Sequence, residues 1–324
     1  MSPALAWGDD HLLLREALST FCAGECPDEW VRRSSGTWPL PPWKTLCELG
    51  FFDAALPGGE TGVVEIVAGM EVLGHAVFPG PLPETLFACG ILGEKEREPV
   101  LEGSQLACVA FENWLPWGPH AEIFVDREFG PNFGGRAWLA RPAGEIAPVQ
   151  TLSGEPWGKG KLVRQRELEG VAKAHAIAEV GHAAWLAAAG QRLVEDACEH
   201  ARTRKQFGKA IGEFQAVAHP LADAHMRSTA AAMLARRAAH ALARSTSIGK
   251  QEVAAVVGAR LSAEAAGLLA VQTAHQVFGA IGITLEGPAF HISSRIRHRV
   301  SASPRDPEAR NRLLSAFELE EETR

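Results

Sequence analysis

The stretch Ala201-Arg202-Thr203-Arg204-Lys205-Gln206-Phe207-Gly208-Lys209-Ala210-Ile211-Gly212-Glu213-Phe214-Gln215 interrupts two long alanine-rich runs, and its reading decides the fold. Before it, the pattern predicts one helix from about Leu168 to Arg202. After it come a second, from Phe214 to Arg244, and a third, from Gln251 to Val277. In the third, Val253, Val257, Leu261, Ala265, Leu268 and Val271 step by three or four, the spacing of a helix in a bundle. Pro220 belongs near the start of the second helix, since in a helix interior proline costs about 3 kcal/mol. Taken alone, Phe207-Gly208 reads as a glycine turn capping a helix. The third helix runs into Gln276-Val277-Phe278-Gly279-Ala280-Ile281-Gly282-Ile283-Thr284-Leu285-Glu286. Those glycines follow a helix, whereas a dinucleotide fingerprint must follow a strand.

Working toward the N-terminus, residues 104–166 change character. Short β-prone runs (Leu106 to Phe111, Ile123 to Val125, Ala137 to Ala140, Lys161 to Val163) alternate with Gly, Pro and Asn clusters. This predicts a small antiparallel β domain, short enough at about 60 residues to lean on its neighbours. Residues 1–103 are helical in pattern: Leu14, Leu18 and Phe21 form one apolar stripe, and Pro42 restarts a helix after the Trp38–Pro42 break. Gly58–Gly62 reads as a turn, and Val63 to Phe78 as the helix behind it. The fold class is therefore mostly α with a small β domain, in three parts: 1–103, 104–166 and 167–324.

Composition narrows the chemistry. The chain has 324 residues, with 32 Lys plus Arg against 39 Asp plus Glu and a net charge of -7, the wrong sign for a nucleic-acid binder. The basic run Arg295–Arg299 lacks interleaved aromatics and is expected on a solvated or interface face. Six scattered cysteines without a CxxC pair predict neither a disulfide scaffold nor a zinc site, and the histidines lack the carboxylate backing of a metal site, so no metal is expected. Tyrosine is absent, which removes it as acid, base or nucleophile. No membrane span and no signal peptide are read, and the expected location is the cytoplasm.

The two loops together resemble the acyl-CoA dehydrogenase family, whose C-terminal bundle carries R-x-x-F-G-x-x-I-x-x-x-Q and Q-x-x-G-G-x-G-x-T-x-E. Leu56-Pro57-Gly58-Gly59-Glu60-Thr61-Gly62, with Glu71-Val72-Leu73-Gly74 ending the next helix, is similar to the family's first domain. The resemblance implies a helical N-terminal domain, a β middle domain, a C-terminal four-helix bundle and bound FAD. It also implies that Arg204, Phe207 and Gln215 reach the pyrophosphate and adenine of a cofactor held by the neighbouring subunit. By the same resemblance Gln276, Gly279 and Ala280 are expected to grip that cofactor, with Ala280 replacing the family's second glycine.

The family's base is a glutamate in an E-G-T segment. Counted without gaps from Glu286, that position falls on Ser303, and serine cannot act as a carboxylate base. Some relatives place the base on the first bundle helix, where Glu179 stands within one residue of the expected position; Asp306 is a second candidate and Glu112 a third. The T-E, G-S-D and W-I-T segments that seat the flavin ring are reduced here to Glu112.

Three functions stay open. One is a flavoprotein oxidoreductase of lipid metabolism that dehydrogenates an acyl thioester with Glu179 as base, passing electrons to electron-transfer flavoprotein or a similar acceptor. Another is an auxiliary subunit in a heteromer with a full-length homologue, acting on a bulky acyl-CoA; the first reading implies a homo-oligomer. In the third, the fold is reused for a biosynthetic step on a carrier-bound acyl group.

Overall fold

The computed structural model describes residues 6–34, 38, 40–56, 62–302, 311 and 313–314. Six helices come first: α1 (Asp9–Glu25), α2 (Asp28–Arg33), α3 (Pro41–Glu48), α4 (Gly62–His75), α5 (Leu82–Ile91) and α6 (Glu94–Leu101). Paired prolines open α3, where a missing N–H costs nothing. In α4 every residue from Ile66 to Gly74 is buried, because α1 covers one face while α7 and α8 cover the others. Most of the Pro57–Gly62 segment lies outside the described residues.

The middle of the chain folds into seven strands: β1 (Ala107–Phe111), β2 (Trp114–Leu115), β3 (Ile123–Phe129), β4 (Gly135–Pro142), β5 (Ala147–Val149), β6 (Trp157–Lys159) and β7 (Leu162–Leu168). Their order is β5-β6-β2-β1-β3-β4-β7. The expectation of an antiparallel sheet needs one correction. β1 and β3 are parallel, since the chain turns back through β2 and a short 3-10 segment before laying β3 beside β1. β7 also continues to Leu168, which pairs with Ala137, so Leu168 ends a strand and does not start the helix. Gly170, at φ 78, makes the turn into the bundle.

The bundle is α7 (Val171–Thr203), α8 (Gln215–Arg244), α9 (Lys250–Phe278) and the shorter α10 (Phe290–Ala302); between α7 and α8 lies a two-stranded hairpin, β8 (Lys205–Gln206) and β9 (Lys209–Ala210). Pro220 sits one turn inside α8. α9 is long and apolar enough to cross a bilayer by length and composition, a property the sequence reading did not anticipate. Its Ala259, Ala263, Ala266 and Ala270 are nevertheless buried where α9 packs on α7 and α8.

The basic run on α10 departs from expectation. Only Arg297 is exposed; Arg295 and Arg299 are buried. The Arg295 guanidinium donates to the Val31 carbonyl at 2.9 Å and to Ser34 Oγ at 3.1 Å, and Arg299 donates to the Gly80 carbonyl at 2.8 Å. These arginines staple α10 to the N-terminal region, each guanidinium donating to a backbone carbonyl of that region.

Candidate functional site

A cleft of about 670 Å³, counted with its open mouth, lies where the N-terminal helices, the sheet and the bundle meet. Phe87 and Glu84 enter it from α5, Phe111 from β1, and Arg127 and Phe129 from β3; Glu155 and Trp157 come from the segment before β6 and its first residue. α7 contributes Glu179 and His182, and α10 contributes His298 and Arg299. His175, Glu179 and His182 share one face of α7 through their three- and four-residue spacing.

The charges in this cleft are mostly spoken for. Glu179 is ion-paired with Arg260 of α9 and lies 3.5 Å from His175 Nε2. Arg260 is held in turn by Glu264 at 2.6 Å. Glu155 faces His298 at 3.3 Å and Arg299 at 3.9 Å. Burial opposes the charge on Glu155, but Arg299 and His298 outweigh it and hold the carboxyl down at about 2. Glu84 is the opposite case: burial pushes its carboxyl above the ordinary range, only partly offset by Arg299. Burial, helped by Arg299, pulls His182 down to about 3, so it is neutral at pH 7. Arg299 stacks 4.5 Å over the ring of buried Trp185.

The cofactor residues expected from sequence lie elsewhere. Glu179 and Arg204 are 25 positions apart on α7 and its cap, about 37 Å at 1.5 Å per residue. Arg204, Phe207, Gln215, Gln276, Gly279 and Ala280 are all exposed. They gather at one end of the bundle, where the His200 ring, one turn before Arg204, packs 4.9 Å from Phe278, the residue before Gly279. The hairpin tip is Phe207 at φ 52 and Gly208 at φ 81, the two positive φ values of a type I′ turn. Phe207 is 93% exposed there, its ring lying 6.2 Å between centroids from that of Phe214. Gly279, at φ 62 and ψ −138, occupies backbone space that a Cβ disfavours. Ile281, Ile283 and Leu285 next to it are exposed apolar side chains.

Glu112 stands exposed in the β1–β2 turn and is not among the residues that line the cleft. Ser303 and Asp306 lie outside the described residues. The sequence reading did not find Arg127, Glu155, His298 or Arg299 as cleft residues. One local signal existed: Ile123, Val125 and Arg127 alternate along β3 on its buried side, which carries the period-two pattern past the run's apparent end.

Residues 173–299 match the sequence model of the acyl-CoA dehydrogenase C-terminal domain. Acyl-CoA dehydrogenase IpdE2 of Mycobacterium tuberculosis is 26% identical over 299 residues, covering 86% of this chain and 88% of that protein. Acyl-CoA dehydrogenase FadE34 of the same organism is 31% identical over 287 residues, covering 80% of this chain but 39% of FadE34. This chain therefore spans well under half the length of that relative. Among solved structures, a chain of the ChsE4-ChsE5 complex from Mycobacterium tuberculosis superposes with a TM-score of 0.80 at 20% identity, over 97% of this chain and 98% of that one.

Proposed function

This chain belongs to the acyl-CoA dehydrogenase family, and from that premise we propose that it serves the α,β-dehydrogenation of an acyl thioester as a subunit that lends its bundle-end loops to FAD held largely by a neighbouring chain. One observation carries this reading. Phe207 is held in a left-handed conformation with its ring in solvent, between an exposed Arg204 and an exposed Gln215. A strained, exposed aromatic gains the isolated chain nothing, so its use lies in what it meets outside that chain.

The loop residues fit the pyrophosphate half of FAD. Arg204 forms no ion pair among the described residues, and a guanidinium is the natural partner of a phosphate. Nothing stands within 4 Å of where a Cβ would lie at Gly208 or Gly279, so a ligand has open access to both backbones. FAD, when bound, supplies the acceptor for the hydride leaving the acyl β-carbon. The cleft of this chain fits the ring half poorly, because buried charges of Glu155, Arg299 and Arg127 line it. Nor does it offer a ready base, since the lone pairs of Glu179 are engaged by Arg260. A partner of the same family would bring the carboxylate and the ring-binding residues, and electron-transfer flavoprotein or a similar acceptor would drain the electrons. The assembly of ChsE4 with ChsE5 is a precedent of form for such a pairing.

A second reading keeps this chain catalytic alone, and the place of Glu179 on the cleft wall favours it. Anaerobic bleaching of flavin by an acyl-CoA panel separates the two. Wild type, Glu179→Gln and Arg204→Ala are each assayed with and without a full-length homologue. Bleaching that requires the homologue, survives Glu179→Gln and falls with the flavin lost in Arg204→Ala supports the subunit reading. Bleaching by the lone wild type that vanishes in Glu179→Gln overturns it in favour of the autonomous enzyme.

A further inference from the structure

Arg127 is a cleft charge for which the proposed function supplies no ligand. Its side chain points from β3 into the cleft wall and is 8% exposed. The guanidinium lies 4.6 Å from the centroid of the Phe87 ring and 4.1 Å from that of Phe129. Neither Nε nor Nη2 finds a hydrogen-bond partner, and no carboxylate pairs with the group among the described residues. The nearby charge that acts on it is Arg260, of the same sign; burial first, and then that repulsion, bring its pKa down to about 9. At neutral pH it is therefore a buried cation without a counter-charge, the arrangement that costs most in a protein interior.

The same chain shows what such a guanidinium ordinarily holds. Arg236 binds Glu71 through Nε and Nη2 at 2.7 Å each, and Arg136 binds Glu167 in the same way at 2.7 Å each. In both, a planar carboxylate takes the two nitrogens that are unpartnered in Arg127. The cleft lining also offers apolar and aromatic surface: Phe87 and Phe129, which touch the guanidinium, with Phe111, Val109 and Trp157. Glu84, Glu155 and Glu179 also line the cleft and would repel a dianion such as phosphate more than a single carboxylate.

We propose that Arg127 is the anchor of a binding site for an organic monocarboxylate with a short apolar body, seated in the cleft between α5, β3 and α7. The carboxylate neutralises the guanidinium and the apolar body lies against the phenylalanines. The assignment stands whichever chain holds the flavin. The carboxylate comes from one of two sources, a free acid or the far end of an acyl thioester.

Calorimetric titration of the purified full chain with hexanoate and hexanamide tests the site, and adipoyl-CoA against hexanoyl-CoA tests the source. Hexanoate is expected to bind at least about tenfold more tightly than the amide, the effect of one charge-assisted hydrogen bond. The difference should collapse in Arg127→Met and be partly kept in Arg127→Lys, with circular dichroism confirming the fold of each. If Arg127→Met fails to fold, the wild-type discrimination and its weakening in Arg127→Lys decide. A tenfold gain for adipoyl-CoA that depends on Arg127 supports the site with the thioester as source; a gain for hexanoate alone supports it with the free acid. Equal binding of hexanoate and hexanamide, or a preference that survives Arg127→Met, overturns the proposal.

Discussion

Replacing Phe207 with asparagine tests whether the hairpin tip is shaped for a neighbour at the expense of the chain itself. Phe207 sits at φ 52, and a left-handed conformation costs an ordinary L residue about 1–2 kcal/mol. Asparagine tolerates that region, and Asn-Gly is the preferred type I′ pair. Against the gain stands the lost contact with Phe214, a T-shaped pair at 6.2 Å. With Phe207 93% exposed, that pair belongs at the low end of the aromatic range, roughly 0.5 kcal/mol. Phe207→Asn should therefore stabilise the lone chain by about 0.5–1.5 kcal/mol. Scanning calorimetry should show a Tm rise of roughly 1–3 °C, since 1 kcal/mol moves a large domain by only a few degrees. In the assembly the sign reverses. An aromatic ring that leaves solvent on binding contributes about 1.5–3 kcal/mol, so flavin retention, read by fluorescence after gel filtration, should fall by about tenfold or more. A lower Tm for the lone chain would show that the turn is not strained. A higher Tm with unchanged flavin retention would show that the ring meets no cofactor or partner.

Two further outcomes concern the fold. Glu71, 5% exposed, accepts from Arg15 at 2.9 Å and from Arg236 at 2.7 Å twice, which joins α1, α4 and α8. Glu71→Ala leaves two guanidinia beside an empty partner and should cost about 3–5 kcal/mol in urea unfolding; a loss under 1 kcal/mol would place the strength of this junction elsewhere. Stability should also fall with pH below the ordinary histidine range. Burial holds His182 and His291 at about 3, so both are neutral when folded, and the unfolded chain binds their protons first. Their contribution is complete above about pH 6.5 and is lost as the pH falls toward 3, at about 1.4 kcal/mol per pH unit for each histidine. Urea midpoints at pH 7, 6 and 5 should descend accordingly. A flat profile that His182→Gln leaves unaltered would contradict the buried neutral state.

How much of this was legible in advance depends on the distance over which each feature is determined. The long bundle helices and the proline-started α3 follow from periodicity and turn chemistry within a few residues, and the sequence reading places them within a few residues of the structure; at the α7–α8 connection it gives only a glycine turn, where the structure has a two-stranded hairpin. The motif loops were legible for the same reason. Whether Arg204 and Gln276 share one end of the bundle follows from helix lengths, because three long antiparallel helices return the chain to the same end after α9.

The cleft was not legible, because its charges meet from segments far apart in the chain. Arg127 comes from a strand, Glu155 from a loop, Glu179 from α7 and Arg299 from α10. No window of sequence contains their distances, and burial alone decides what each does. The run Arg295-Ile296-Arg297-His298-Arg299 looks like a solvated face when read as composition. Packed under the N-terminal helices, two of its arginines instead bind backbone carbonyls in the interior. The reading of Glu179 as a base, likewise, rested on its position along one helix, whereas Arg260, 81 positions later, determines that its carboxylate is already engaged. Local sequence thus determined the elements and the exposed loops. Tertiary structure decided the charge state and partners of the buried groups, because electrostatic energies depend on three-dimensional separation and loss of water.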